Sequence, residues 1–541
     1  YPGMKWQNTQ FGSLTRGSVF NYYLSPSVTG AYTRQWGDHF FKGMAGFQME
    51  LQENSSEYMY KDGMLSEDIY SFDNANGTPY AAEARSHWAT MGMFARLNWN
   101  YRNIYFLEFS GRYDGSSRFA PDNRWGFFPS FSAGYDISRT PYFTKLNLPV
   151  SQLKVRVSYG RLGNQNGAGL YDYLGVMTLD PNNVNAWLLP GTGNKPAKGT
   201  ISLTPKMISP YITWEKVDNA NIGLDLMLFD DRLSVTFDAY QRTTKDMIGP
   251  AEAIPAVSGI VPDDRAKINN ATLRNRGWEL SVNWQDKLKC GFSYGIGFNL
   301  FDYKAVVTKY NNPEGIIYNN HTGLARNKGY YEGMDIGEIW GFVADDLFMT
   351  NREVDDYLQS KDLSFFKADN LWQAGDLKYI DVNRDGKVDP GKGTLDDHGD
   401  LRIIGNTTPK YSFGINLKAG YKGFQVSTLF QGVGKRDFPL AGSTYLFGGK
   451  NYFKEHLDYF SPQNPDAYLP RLADPKTDDY RVNAGYNTTR YMVNAAYMRM
   501  KNLTVSYTFD KKMLKALRLE NLRLYFTCDN LFTITSLPKS F

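Results

Sequence analysis

The feature that most constrains the fold of this sequence is a strict alternation of apolar and polar residues. In one segment, Tyr105, Leu107 and Phe109 alternate with Glu108 and Ser110. Successive side chains of a β-strand point to opposite sides of the sheet, so such a segment has one apolar face and one polar face. The alternation recurs in further segments, at 127–138, 153–159, 221–228, 233–239, 278–284, 292–300, 411–418, 424–431 and 502–507. Together with an aromatic content of 15% and 50 glycines, it predicts an all-β protein with many turns.

Two antiparallel architectures produce this alternation. A soluble sandwich buries the apolar face in a core and leaves the polar face in water. A large antiparallel transmembrane β-barrel turns the apolar face to lipid and the polar face to a wet lumen. The periodicity alone does not choose between them.

Three further features favour the barrel. Tight turns at 100–103 and 229–231 alternate with long polar stretches, as they do in outer-membrane barrels. Several segments approach the ten or so residues that a tilted strand needs to cross a bilayer. Aromatic residues such as Tyr101, Trp125 and Trp278 stand at the ends of predicted strands, where they suit the two membrane interfaces.

Composition excludes several other classes of protein. Lys and Arg number 60 against 56 Asp and Glu, a balance that gives no electrostatic case for nucleic acid as a partner. No apolar stretch is long enough for a transmembrane helix, so a helical membrane protein is excluded. Two cysteines, Cys290 and Cys528, do not make a disulfide scaffold, although one bridge between them is compatible with the sequence. The five histidines are scattered without the spacing of a zinc site.

Long polar loops are predicted between pairs of strands. They run roughly over residues 54–84, 162–209, 248–270, 308–335, 348–408 and 437–495. Loops of this length are uncommon in compact domains unless they carry function. They hold four aromatic residues that suit stacking on sugars or peptides, although loop packing is the commoner role: Trp187, Tyr318, Trp340 and Trp372. No nucleophile elbow, phosphate-binding loop or zinc-protease motif occurs, so we predict that the protein is not an enzyme.

The sharpest local motif is DVNRDGKVD, which begins at Asp381. Oxygen-bearing side chains stand at positions 1, 3, 5 and 9, and Gly386 at position 6 permits a sharp turn, as in a calcium-binding loop. The predicted ligand residues are Asp381, Asn383, Asp385, Lys387 and Asp389. Lys392 replaces the bidentate Glu of position 12, and three later carboxylates are candidate substitutes, namely Asp396, Asp397 and Asp400. We expect a structural Ca²⁺ here; the alternative is an Asx-rich turn without metal.

A series of longer motifs runs along the chain. The first three are GRYDGSSRF at 111–119, RWGFFPS at 124–130 and SAGY at 132–135. They are followed by SYGRLGNQ at 158–165, WEK at 214–216, NIGLD at 221–225, TKDM at 244–247, NRGWEL at 275–280, GDLKY at 375–379, IGNTTPK at 404–410, FQG at 430–432, YMRMKNL at 497–503 and DNLFT at 529–533. In this collinear order, which covers nearly the whole chain, they resemble the SusC/RagA-like TonB-dependent transporters of the Bacteroidetes outer membrane.

The resemblance implies a 22-stranded barrel around a plug domain. It implies a SusD-like surface lipoprotein as an extracellular lid, a dimer of SusCD pairs as a candidate assembly, and energy supplied through the plug by the TonB–ExbB–ExbD complex. The location implied is the outer membrane of a Gram-negative bacterium, in contact with its lipid. Only about fifteen strand candidates are present in residues 1–541, without a plug, a TonB box or the final strand of the family. We therefore expect a partial transporter barrel with long extracellular loops.

The predicted function is active import of oligosaccharides or peptides, with this chain as part of the channel wall. Two alternatives stay open: a passive porin-like channel, and a soluble all-β protein that binds or processes carbohydrate. Three arginines predicted to face the lumen suit either an anionic cargo or ion pairs with plug residues: Arg112, Arg156 and Arg242.

Overall fold

The computed structural model describes residues 12–66, 68–175, 207–250, 266–317, 329–367, 371–441, 453–474, 478–510 and 518–537, together with short pieces between these ranges. Within them, the strands numbered along the chain are β1 (Leu14–Leu24), β2 (Ser27–Trp36), β3 (His39–Lys61), β4 (Tyr80–Tyr101), β5 (Tyr105–Ser116), β6 (Trp125–Asp136), β7 (Val150–Asn164), β8 (Leu179–Asp180), β9 (Leu188–Leu189), β10 (Ala197–Lys198), β11 (Ile201–Ser202), β12 (Glu215–Leu228), β13 (Leu233–Pro250), β14 (Lys267–Lys287), β15 (Ser293–Lys309), β16 (Glu338–Phe342), β17 (Ala344–Leu347), β18 (Leu377–Tyr379), β19 (Leu401–Asn406), β20 (Lys410–Tyr421), β21 (Phe424–Lys435), β22 (Asp437–Pro439), β23 (Met492–Asn494), β24 (Tyr497–Thr508) and β25 (Arg523–Thr535).

Helices are few and short. The α-helices of the described residues are α1 (Pro141–Thr144), α2 (Asn351–Leu358) and α3 (Asp478–Tyr480). In that part of the chain, none has the length and hydrophobicity to span a membrane.

One antiparallel sheet of 15 strands dominates the structure, in the order β1-β3-β4-β5-β6-β7-β12-β13-β14-β15-β20-β21-β24-β25, with β2 also paired to β3. Both β1 and β2 pair with the same edge of β3, β1 along residues 51–61 and β2 along residues 39–48. Pro26 lies between β1 and β2, and proline has no N–H to donate to a ladder. The two strands therefore occupy one lateral position of the sheet, interrupted at Pro26.

Connections at the two ends of the sheet differ in length, as predicted. The turn between β4 and β5 contains Arg102 and Asn103, both with positive φ (52° and 54°). Similar short turns join β12 to β13 and β20 to β21, whereas β15 and β20 are separated by about 100 residues. We call these the short-turn end and the long-loop end. The predicted loop limits were too wide in places, because β3 continues to Lys61 and β4 begins at Tyr80. Cys290 lies in the short turn between β14 and β15, and both cysteines are free.

The two faces of the sheet differ as the alternation predicts. On the apolar face, the rings of Phe109 and Phe131 lie 4.9 Å apart, and Phe109 is 53% exposed. On the opposite face, Arg156 forms ion pairs with Asp225 and Asp238. We call this second face the polar wall. No part of the chain that the structure describes covers Phe109 and its neighbours on the apolar face, an arrangement that fits a lipid-facing surface and not the core of a sandwich.

Aromatic rings mark both borders of the apolar face. Near the short-turn end, Tyr105 stacks on Tyr135 with ring centroids 5.1 Å apart. Near the long-loop end, Tyr113 stacks on Trp125 at 5.0 Å. From Tyr105 to Tyr113 the strand rises by roughly 26 Å, or about 20 Å after a tilt of roughly 40°. This height is close to the apolar band of about 25 Å that outer-membrane barrels present to lipid.

The long connections at residues 310–409 and 436–496 are more ordered than their polar composition predicts. Their described parts pack together around a hydrophobic core, and we call this unit the loop domain. Its buried residues include Phe342, Phe348, Leu363, Phe366 and Tyr379. Val307 of β15 belongs to the same core, and Leu273 of β14 packs against it. The loop domain is thus anchored to the polar-wall side of β14 and β15.

Candidate functional site

The polar wall carries charged side chains that are paired across neighbouring strands. Arg156 of β7 faces Asp225 of β12 through two contacts, Nε to Oδ2 at 2.7 Å and Nη2 to Oδ1 at 3.0 Å. The same Nη2 donates to Asp238 Oδ2 of β13 at 3.1 Å. Arg96 and Glu108 form a longer pair, with 3.6 Å between Nε and Oε1. These cations are thus paired within the sheet, and a polar face of this kind suits contact with water.

The three arginines predicted to face the lumen have different surroundings. Arg112 pairs with Asp114, and Arg156 is held by its two aspartates. Arg242 is exposed and makes no ion pair within the described residues. The sequence placed all three on the same face, and the strand register agrees. Only Arg242 is left with its charge uncompensated by the described part of the sheet.

Aromatic rings fill spaces that glycine leaves open between strands of the sheet. The ring of Phe128, 6% exposed, lies over Gly163 of the next strand, with its Cζ 2.2 Å from the position that a Cβ would take. Lys154 extends over the ring of Phe106, 4.2 Å from its centroid. Alternation predicts which side these residues face, but gives no sign of the contact between a ring and a glycine on the neighbouring strand.

A hollow of about 700 Å³ opens on the polar wall near the short-turn end. Small residues of β15, β20 and β21 form part of its lining. The rest is mainly charged: Asp230, Asp231, Arg232, Asp286, Lys287, Lys418 and Arg523. Both signs of charge are present, so the surface suits a polar protein segment better than a ligand of one charge.

The loop domain contains a buried cluster of charges. Lys367 and Asp376 are 1% and 0% exposed, and 3.1 Å separates Nζ from Oδ2. Arg471 contacts the other oxygen of Asp376 at 2.6 Å, and Asn483 donates to that oxygen at 2.7 Å. Asp479 accepts from Lys367 at 2.6 Å and from Arg471 at 2.7 Å. Three separate chain segments are therefore tied together at one carboxylate.

The cluster shifts the acidity of Asp479. Burial raises the pKa of its carboxyl, but hydrogen bonds from Lys367 and Arg471 outweigh burial and hold this pKa below its usual value. Sequence reasoning missed the cluster. Its only signal was Asp376 in the GDLKY motif at 375–379, which entered as part of the family resemblance.

The predicted calcium loop forms a tight turn on the loop domain. Asp381 Oδ1 accepts from the amide of Arg384 at 2.6 Å, and its Oδ2 accepts from the amide of Gly386 at 3.0 Å and from Lys361 at 2.5 Å. The side-chain amide of Asn383 donates from Nδ2 to Asp385 Oδ2 at 3.0 Å. Asp381, Asn383 and Asp385 are thus brought together by one turn.

The other two predicted ligand residues, Lys387 and Asp389, follow that turn along the chain. The amide of Lys387 donates to Asp385, while Asp389 Oδ1 accepts from Gly391 at 2.7 Å. Asp400, one of the candidate substitutes for position 12, closes the loop by accepting from the amides of Val382, Asn383 and Asp389. In the described ranges, no three His, Cys, Asp or Glu side chains are placed to hold a metal ion. The calcium site stays a prediction.

Burial and hydrogen bonding act differently on the two buried carboxyls of this loop. Burial raises the pKa of Asp381, but hydrogen bonds from Lys361 and from two backbone amides outweigh it and leave this pKa below its usual value. Burial also raises the pKa of Asp400, and there the three amide hydrogen bonds do not compensate, so the pKa lies above its usual value.

Two of the predicted loop aromatics serve as packing residues. Trp340 is 7% exposed and donates from Nε1 to Glu338 Oε1 at 3.0 Å. Trp372 is equally buried, and Lys367 Nζ lies 5.0 Å from its ring centroid. Trp187 and Tyr318 lie outside the described residues.

Comparisons with known proteins agree with this architecture. Residues 3–531 match the family described as TonB dependent receptor-like, beta-barrel. The chain is 25% identical over 523 residues to TonB-dependent receptor P3 of Formosa agariphila, covering 94% of this chain and 47% of that protein. It is 25% identical over 540 residues to TonB-dependent receptor SusC of Bacteroides thetaiotaomicron, covering 98% of this chain and 48% of SusC.

Solved structures show the same fold. The RagAB peptide transporter superposes with a TM-score of 0.74 at 21% identity, over 97% of this chain and 53% of that chain. The open-open state of the RagAB peptide importer gives a TM-score of 0.75 at 20% identity, over 97% and 52% of the two chains. The chain spans about half the length of the relatives it matches. It belongs to the TonB-dependent receptor family, in the SusC/RagA-like group, and forms part of an outer-membrane β-barrel of a Gram-negative bacterium.

Proposed function

We propose that this chain forms the wall of a channel for active import of oligosaccharides or peptides. The observation that carries the proposal is the asymmetry of the large sheet, with Phe109 exposed on one face and Arg156 paired on the other. A sheet with these two faces separates lipid from a wet passage. Import requires no covalent change of the cargo, so the proposal assigns no catalytic residue.

The loop domain supports a role in contact with a partner at the extracellular end. Its buried core and charge cluster give it a fixed shape, which a recognition surface needs. We assign the SusD-like lipoprotein to this end as a lid over the cargo, which follows from the likeness to SusC. A dimer of such pairs is the assembly that we expect.

The hollow at the short-turn end supports contact with a plug domain. Its mixed charges, with Asp286, Lys418 and Arg523 among them, offer partners for both signs of charge on a plug surface. A plug closes the passage at rest, and force transmitted by TonB, ExbB and ExbD would open it. In this proposal, the 381–389 loop binds a calcium ion that has a structural role.

Uptake measurements in cells test active import. The full-length protein and its lipoprotein partner are expressed in the native host, and uptake of labelled maltooligosaccharides and of a labelled tryptic peptide mixture is followed. We expect uptake of one class, and its loss on deletion of the TonB box. Uptake that persists at the same rate without the box would overturn active transport in favour of the porin-like alternative. Purification of the protein without detergent would instead favour a soluble protein.

A further inference from the structure

Six cationic side chains lie together on the apolar side of the sheet, at its long-loop end. They belong to five adjacent strands, β7 and β12 to β15, and none of them is used by the proposed channel. We call them the basic rim, formed by Arg161, Lys216, Lys245, Arg274, Arg276 and Lys304.

Strand register places the basic rim on the lipid side and not on the polar wall. Arg161 stands two residues from Tyr159, which is paired with Phe131 of the apolar face. Arg276 stands two residues from Trp278, and its register partner on β15 is Lys304. The side chain of Arg276 donates to Gln241 of β13 at 2.6 Å, which puts both on the same side. The alternation that sends Arg156 inward therefore sends these cations outward.

The carboxylates near the basic rim do not neutralise it. Asp218 accepts from both Arg161 and Lys245, at 2.7 Å and 3.0 Å. The other two carboxylates form one pair each, Asp246 with Lys216 at 2.9 Å and Asp335 with Lys304 at 3.5 Å. Arg274 and Arg276 have no ion-pair partner among the described residues. A fourth carboxylate on this side, Asp302, forms its ion pair with Lys410, outside the basic rim, at 3.7 Å. The six cations thus pair with three carboxylates, and the excess lies at Arg274 and Arg276.

The backbone height places Arg276 within the headgroup layer and Arg274 just beyond its outer limit, from where its long side chain reaches back to the layer. Arg276 and Arg274 precede Trp278 on β14 by two and four residues, and so lie closer to the long-loop end. These steps are roughly 7 and 13 Å along the strand, or about 5 and 10 Å along the membrane normal for a tilt of roughly 40°. The headgroup layer extends about 5–8 Å beyond the hydrocarbon core on each side.

We propose that the basic rim binds the phosphate groups of a phosphorylated lipid in the outer leaflet. Arginine is suited to this ligand, because its guanidinium offers two parallel donors to one phosphate. The occupant is a lipid and not a soluble anion, since the surface below the rim is continuous with the lipid-facing band of Trp278 and Tyr159. The long-loop end is the extracellular end of an outer-membrane barrel, so the lipid belongs to the outer leaflet.

The test measures binding of lipid A to the detergent-purified full-length protein by native mass spectrometry. The probes are lipid A with both phosphates, the same lipid after phosphatase treatment, and inorganic phosphate. We expect preference for the phosphorylated lipid, and about twentyfold weaker binding by the double variant Arg274→Gln/Arg276→Gln. The variant Arg274→Lys/Arg276→Lys retains the charge and should restore most of the binding, which separates loss of charge from a folding defect.

The matched control is Arg242→Gln, because Arg242 lies on β13 beside the basic rim but faces the polar wall. It should bind lipid A like the unaltered protein. Equal binding of the dephosphorylated lipid would overturn the proposal. Unchanged lipid A binding by Arg274→Gln/Arg276→Gln would overturn it too, whether or not that variant loses self-association. Displacement of lipid A by millimolar inorganic phosphate to the same extent in every variant would also overturn it.

Discussion

The Lys367 ammonium lies 3.1 Å from the Asp376 carboxylate, and neither side chain is more than 2% exposed. A pair this deeply buried is costly to desolvate, and it is kept only if its remaining hydrogen bonds are satisfied. Arg471 and Asn483 provide them for Asp376, and Asp479 does so for Lys367. The cluster therefore makes the loop domain one cooperative unit.

Replacing Asp376 should unfold the loop domain while the barrel persists. Asp376→Asn leaves Lys367 with its main buried partner removed, and we expect a cost of about 3–5 kcal/mol. Limited proteolysis of the full-length protein checks it, with cleavage in residues 310–409 as the readout. The control is Asp356→Asn on α2, an exposed carboxylate with one long contact to Arg352, which should cost less than about 0.5 kcal/mol. Equal protease resistance of Asp376→Asn and the unaltered protein would show that the charge cluster does not stabilise the loop domain.

Acid should loosen the loop domain through Asp479. Its pKa is lower in the folded protein than in the unfolded chain, so its contribution to stability is present above about pH 4 and is lost as the pH falls through the folded pKa. Proteolysis of the loop domain should therefore accelerate below about pH 4. The variant Asp479→Asn should show a weaker pH dependence in that window. An unchanged profile in this variant would show that Asp479 does not carry the effect.

A methyl group on Gly163 should destabilise the barrel wall. In Gly163→Ala, the new Cβ meets the buried ring of Phe128, and we expect a loss of about 1–3 kcal/mol in the unfolding of the full-length protein. Gly43→Ala on β3 is the matched control, because no atom lies within 4 Å of its added Cβ. The second change Phe128→Leu should restore part of the loss. A Gly163→Ala protein as stable as the Gly43→Ala protein would contradict the packing described.

Calcium should stabilise the loop domain if the 381–389 prediction is right. At a calcium concentration of 100 times Kd, the expected gain is about 2.7 kcal/mol, read as a rise in Tm of the chelator-treated full-length protein. Asp385→Ala should abolish the rise, since Asp385 is exposed and its loss leaves the core intact. Asp466→Ala, at another exposed carboxylate of the loop domain, should leave the rise unchanged. A calcium-induced rise of the same size in Asp385→Ala would refute the site.

The strands of the large sheet could be predicted from the sequence, because the alternation within one strand is enough to assign its apolar and polar faces. Tyr105, Leu107 and Phe109 specify their side of β5 without reference to any other strand. The break at Pro26 was not predicted, and neither was the pairing of β1 and β2 with one edge of β3. Register and the contact of Phe128 with Gly163 depend on which strands become neighbours, and a single sequence does not contain that information.

The loop domain was beyond the reach of periodicity. Phe342, Tyr379 and Val482 meet in one core although up to about 140 residues separate them, and none lies in a regular apolar pattern. Asp376 likewise gains its role only when segments near 367, 471 and 483 come together. The loops therefore read as polar in sequence, and their buried charge cluster went unrecognised.

The proposed channel depends on the orientation of the large sheet in the membrane, and paired labelling measures this orientation most directly. Phe109→Cys and Ser110→Cys are made separately in full-length protein in which Cys290 and Cys528 are serine, and each variant carries a spin label in a lipid bilayer. We expect the label at residue 109 to be relaxed by oxygen dissolved in the lipid and the label at residue 110 by a water-soluble nickel chelate. The reverse pattern, or protection of residue 109 from both agents, would contradict a lipid-facing apolar surface and the channel with it.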